Sequence, residues 1–180
     1  MGVKLLESYV LGDMKALYFL DEEKRLAELM LLPDGMEPVG WEEKHQEIDA
    51  LIQLKLEGDV YAGAYAGGKT MRQSGSVQNM KFERQKVTAD PFHTEIVTCC
   101  RDERGYEADH HLIWNQGEES LESFVVFRNQ SDAACGLELL ESFSIGGITP
   151  VCSGRCTGTS DPAPAALRLE YGRQTGKYSV

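Results

Sequence analysis

The sequence predicts an all-β fold, an antiparallel β-sandwich, and three observations carry that prediction. Apolar-rich runs recur at Met80–Val87, Thr94–Cys100, Tyr106–Trp114, Leu121–Arg128 and Leu137–Phe143. Polar punctuation separates them: Asp90-Pro91, Arg101 to Gly105, Asn115-Gln116-Gly117 and Asn129 to Asp132. Short runs at regular spacing with polar turns between them read as an antiparallel meander. No alternation of strand and helix patterns occurs, and no amphipathic segment of helical length follows residue 60.

Ahead of the meander, Lys4–Leu11 and Lys15–Leu20 read as short strands, with Gly12-Asp13 as the hairpin turn between them. Asp21–Leu32 has the length of a helix, but its charges crowd the start and its apolar positions make no clean stripe. In a β context Leu29–Leu32 reads equally as a buried strand. Pro33-Asp34-Gly35 forms a turn. Leu51–Leu56 sets Leu51, Gln53 and Lys55 against Ile52, Leu54 and Leu56, which is strand periodicity.

The bulk properties bound the function. At 180 residues the chain is long enough for one domain with a real core, and 42% hydrophobic with 26% charged residues is an ordinary folded composition. A net charge of −11 argues against nucleic-acid and anionic-membrane partners, both of which call for clustered Lys and Arg. No apolar stretch approaches the roughly 18 residues of a membrane span. The start carries no basic segment followed by an apolar run, so no signal peptide is read. Cysteines at 99, 100, 135, 152 and 156 are odd in number, which favours reduced thiols. The expectation is a cytoplasmic protein.

Several candidate sites can be weighed. Residues Gly63–Thr70 match the phosphate-binding pattern G-x-x-x-x-G-K-[ST], in which Lys69 and backbone N–H groups would cradle phosphates and Thr70 would hold magnesium. That reading needs a strand before Gly63 and a helix opening at Thr70. Met71 to Ser76 instead supplies residue types that disfavour a helix interior, so Lys69 reads as a solvated loop charge. His110 and His111 diverge on a strand, as do Cys99 and Cys100, so neither pair can chelate one metal. Glu107, Asp109 and His111 share a face and read as its polar, solvated side, opposite Ala108, His110 and Leu112. Cys152 and Cys156 lack a second ligand pair. The acidic pairs Glu22-Glu23, Glu42-Glu43 and Glu118-Glu119 offer no way to select two catalytic carboxylates. No catalytic, cofactor-binding or metal-ligating residue is assigned.

Three blocks together carry a family resemblance: Tyr65–Ser74 (YAGGKTMRQS), Val125–Ser131 (VVFRNQS) and Glu141–Pro150 (ESFSIGGITP). With Asp102-Glu103-Arg104-Gly105-Tyr106 and Leu112–Trp114 between them, they resemble the N-terminal β-domain of family 36 glycoside hydrolases, the bacterial α-galactosidase type. The resemblance covers roughly residues 1–150. It implies a β-supersandwich, the N-terminal part of a galactose-mutarotase-like domain, preceding a TIM barrel. It further implies that the barrel carries two catalytic aspartates for retaining hydrolysis of terminal α-galactosides. This sequence ends before any barrel, so the expectation is an incomplete, non-catalytic domain without hydrolase activity of its own. A stand-alone carbohydrate-binding β-sandwich using Trp41, Trp114 and tyrosines is the alternative, although core packing suits Trp114 better. A P-loop nucleotide binder is the third reading.

After Pro150 the text changes. Residues 1–150 carry 14 basic and 27 acidic residues, whereas residues 151–180 carry four and two. The tail is rich in Gly, Ser, Thr, Ala and Pro, and too poor in apolar surface to offset its ordering entropy. It is expected to be disordered. It also departs from the family's pattern. Codons for the tail can be chosen so that a reading shifted by one nucleotide gives FAPDDVPEHLIQRLRHSAWSMEGRLESIR, which resembles the family, and a frameshift after Pro150 is the expectation. Loss of the following strands would leave sheet edges unpaired and favour self-association.

Overall fold

A computed structural model describes residues 2–36, 48–59 and 74–145 of the chain. Two compact units divide the sequence, Met1–Pro150 and Val151–Val180. The second lies outside the described residues, and with it the expectation of a disordered tail.

Successive apolar residues dominate the second and third strands, and a strand of that kind needs cover on both faces. Strand β1 (Val3–Leu11), β2 (Met14–Asp21) and β3 (Ala27–Pro33) form an antiparallel sheet in that order. Ala16, Tyr18, Ala27 and Leu29 face one core, while Leu17, Phe19 and Met30 make a smaller cluster on the opposite face with Val3 and Leu32. The expected hairpin turn at Gly12-Asp13 joins β1 to β2, with Leu11 paired to Met14.

Of the two options for residues 21–32, the strand is realised. Asp21 explains why the charged start is not helical. Its Oδ1 accepts the backbone N–H groups of Glu23 and Lys24, both at 2.9 Å. Arg25 then turns through φ 55°. A short acidic side chain that holds its own following amides competes with the helix.

The meander is as expected over four strands. Strands β5 (Lys81–Ala89, with a bulge near Glu83), β6 (His93–Arg101), β7 (Tyr106–Asn115) and β8 (Leu121–Asn129) follow each other in an antiparallel sheet. Ile96, Cys100, Ala108 and Leu112 from its inner face join the β1–β3 residues in one buried cluster, so two sheets share a core. The architecture is sandwich-like and open rather than closed into a barrel.

Three details differ from the sequence reading. Strand β4 is only Leu54–Leu56 instead of beginning at Leu51. Leu51, Ile52 and Gln53 are all buried, so their alternation does not separate two faces; Leu51 N–H instead bonds Ala27 O at 2.7 Å. Strand β9 stops at Leu140 and leaves the meander to pair with β4, Leu54 opposite Leu140. The Asn129 side chain turns the chain there by accepting Ser131 N–H and Oγ–H. Finally, Gly75–Asn79 forms a one-turn helix, α1, that the sequence did not suggest. Ser74 caps it, accepting Val77 N–H at 3.1 Å.

Candidate functional site

One end of the meander brings together pieces that are far apart in sequence. The β6–β7 turn carries Asp102, whose side chain is buried and accepts Arg104 N–H at 2.6 Å. The Arg104 guanidinium folds back on the same carboxylate, with Nε 3.0 Å from Oδ1 and Nη2 2.7 Å from Oδ2. It lies over the Tyr106 ring at 5.0 Å and donates to Ser76 Oγ at 3.2 Å. Ser76, on α1, donates in turn to Asp59 Oδ1. From β8, Phe127 meets the Tyr106 ring at 5.8 Å, and Gln130 N–H donates to Gly105 O. Arg104 is thus fixed on one flat face and one edge, with two aspartates around it and about half its side chain exposed.

The outer face of the meander holds a second polar array, and it corrects the expectation of a solvated side. Glu107 and Asp109 are only 7% and 9% exposed. Register sets Arg101, Glu107 and Arg128 in one row across β6, β7 and β8. Arg101 pairs with Glu107 and Glu83, and Arg128 with Glu107 and Asp109, so two half-exposed arginines cover three carboxylates. Burial raises the Asp109 carboxyl most, but the Arg128 guanidinium, the Cys99 thiol and the His111 charge together outweigh it and hold the group below its ordinary value. Further along, His111 donates to Glu95 Oε1 at 2.8 Å and stacks on Phe124, centroids 4.5 Å apart.

Within this array, one oxygen or sulfur from each of Glu83, Cys99 and Glu107 falls within 4.8 Å of the others, a possible metal-ligand set. The Arg101 guanidinium already bridges Glu83 and Glu107. A divalent ion would have to displace that cation, so the arrangement is a neutralised ion-pair ladder rather than a metal centre. Nor is Cys99 a nucleophile. Burial, then the Asp109 carboxylate facing it, pushes its thiol up to about 12. Native-state alkylation at pH 8 is therefore expected to label half-buried Cys135 at least about a hundredfold faster than Cys99 or Cys100, as read by mass spectrometry.

His110 faces the opposite way, fully buried beside Ala108 and Leu112, so the predicted divergence of the two histidines holds. Cys99 and Cys100 diverge likewise, one toward Glu83 and the other into the core. Trp114 packs against the core cluster with its indole beneath Gly12. Glu22, Glu23, Glu118 and Glu119 are exposed. The phosphate-loop match at Gly63–Thr70, and Trp41, Glu42, Glu43, Cys152 and Cys156, lie outside the described residues. Sequence reading missed the Arg104 cluster. Its available signal was Asp102 followed by Arg104-Gly105, a polar turn whose glycine admits close approach of a second chain segment. Among the described residues no helix is long and apolar enough to cross a membrane. No family model, curated protein or solved structure matches the chain.

Proposed function

We propose that residues 1–150 form a non-catalytic N-terminal β-domain of an α-galactosidase-like glycoside hydrolase, a protein of carbohydrate metabolism. The observation that carries this reading is that the described parts of the resemblance blocks belong to one fold, with Ser74, Asp102–Tyr106 and Phe127–Gln130 gathered at one end of the meander. Ser74, the last residue of the first block, caps the helix whose Ser76 binds Arg104. Asp102 to Tyr106 supplies the centre, and Phe127 to Gln130 closes it from β8. Glu141 to Ile145, from the last block, also reach the core, with Ser142 O accepting the Ser123 hydroxyl. Blocks that pack on one another are what a shared domain calls for. An open all-β sandwich supports the same reading.

In this reading the domain supports a barrel and contributes to oligomer packing, and hydrolysis of α-galactosides belongs to that barrel. The described residues fit a supporting role: buried Asp102, Glu107 and Asp109 are each paired with arginine, buried Glu28 accepts the Asp49 N–H, and His110 is sealed in the core. The strand β8 edge, which has no strand partner among the described residues, is the surface for packing or self-association.

Sequencing the DNA across and beyond codon 150 tests the proposal. The expected result is a frame shifted by one nucleotide that encodes Trp-Ser-Met-Glu-Gly-Arg-Leu-Glu and then a barrel; a shifted frame without them sinks it. The purified 180-residue chain is expected not to turn over p-nitrophenyl α-galactoside. One observation favours the carbohydrate-binding alternative. Phe92 is 73% exposed on a turn fixed by Asp90, whose Oδ1 accepts the N–H groups of Phe92 and His93. Measurable raffinose affinity lost in Phe92→Ala would select that alternative.

A further inference from the structure

The inner face of the meander carries a polar row through the middle of the core. Register places Gln85, Thr98 and His110 side by side across β5, β6 and β7. The Tyr9 hydroxyl donates to Gln85 Oε1 at 2.8 Å, and Gln85 Nε2 donates to Thr98 Oγ1 at 2.8 Å. At the other end, His110 Nε2 lies 3.0 Å from Ser123 Oγ. The single Ser123 hydroxyl proton goes to Ser142 O at 2.7 Å. Ser123 must therefore accept from His110, which puts the ring hydrogen on Nε2 and leaves Nδ1 a bare acceptor.

That Nδ1 is buried and has no partner, and the proton of the equally buried Tyr18 hydroxyl has no acceptor. Both residues are 0% exposed. Both also adjoin Thr98: His110 is its register partner, and the Thr98 hydroxyl is placed to donate to the Tyr18 oxygen, which leaves the Tyr18 proton unused. One group is an unused acceptor and the other carries an unused donor. Two sealed polar atoms of complementary kind, on either side of a third polar group, are a combination that folded chains rarely leave unpaired.

We propose that a single structural water is bound between Tyr18 and His110, accepting from the Tyr18 hydroxyl and donating to His110 Nδ1. Thr98 is its third neighbour, which meets the usual requirement of two to four polar partners for a buried water. With this water the row runs unbroken from Tyr9 on β1, across the meander, to Ser142 beyond β9. The sandwich is then tied across its width by hydrogen bonds as well as by apolar contact, and strand register is fixed from inside.

The substitution Tyr18→Phe removes one oxygen and tests the site by sign. With the water in place, the unfolding equilibrium constant rises about tenfold, because a bound water loses its donor. The same substitution in a His110→Leu background changes it by less than about threefold. If the Tyr18 proton has no acceptor, Tyr18→Phe leaves stability unchanged or raises it, and the proposal is overturned. Two spectroscopic readings need no variant. Long-range proton–nitrogen spectra are expected to give the Nε2–H tautomer of His110, and magnetisation is expected to pass from a long-lived water to its ring. An Nδ1–H tautomer, or no water signal, overturns the site even where Tyr18→Phe destabilises, since a direct Tyr18–His110 bond then explains the loss.

Discussion

Lowering the pH from 6.5 to 4.5 is expected to remove about 2 kcal/mol of stability through His110 alone. Burial, followed by the neighbouring charge of His111, pushes the folded-state pKa of His110 down to about 3. The unfolded chain keeps the ordinary value near 6.5. Above that value the ring is neutral in both states and the contribution is fully present. As pH falls toward 3, the unfolded state takes up a proton that the folded state refuses, and stability is lost throughout that window. Paired carboxylates act lower: the folded-state value of Asp109 is depressed, so its contribution is lost only as pH falls below the ordinary carboxylate range. Urea unfolding between pH 7 and 4.5, in the parent chain and in His110→Gln, separates the terms. The parent is expected to lose more than the variant by the His110 amount, and parallel curves would refute it. Should the variant not fold, direct titration of the His110 ring by NMR carries the same test.

The position of His110 was readable in the sequence, and its consequence was not. Period-two alternation in Tyr106–Trp114 places His110 with Ala108 and Leu112 on one face and His111 with Glu107 and Asp109 on the other. Which face is sealed depends on the opposing sheet, whose contributors Ala16, Tyr18 and Leu29 lie some 80 to 95 positions earlier. The polar label misled on the outer face for a similar reason. Glu107 and Asp109 are nearly buried because the long Arg101 and Arg128 side chains from neighbouring strands lie over them. Local pattern gives a strand and its two faces; it does not give the neighbours that cover them.

The same distinction accounts for the elements. Four meander strands are legible because each hairpin pairs a run with the next one, and turn residues mark every junction. Strand β9 was misassigned because its partner, Leu54–Leu56, precedes the whole meander. No local signal announces a pairing of that range. Helix α1 is one turn long, below any periodicity, and only its cap at Ser74 was available. The Arg104 cluster likewise depends on four separate segments meeting, so a motif list could name its pieces but not its geometry.

Gly105→Ala is the substitution that tests whether those segments press on one another as described, and it is expected to destabilise the fold by about 3 kcal/mol. Gly105 has φ +96°, a conformation that side chains rarely adopt. A β-carbon there would stand 3.2 Å from Ser131 N and 3.3 Å from Ser131 Cα. Both obstacles are backbone and cannot rotate away. Nor can the residue move, since its N–H bonds Asp102 O and its O accepts Gln130 N–H. Gly117 supplies the control. Its φ is +87°, but nothing stands within 4 Å of the position a β-carbon would take. Gly117→Ala therefore carries the backbone strain without the collision, and about 1–2 kcal/mol is expected. The excess in Gly105→Ala over Gly117→Ala measures the contact between the β6–β7 turn and the chain leaving β8. Equal losses would mean that the two segments do not press on each other. The Arg104 cluster, and with it the observation behind the proposed domain, would then lose its basis.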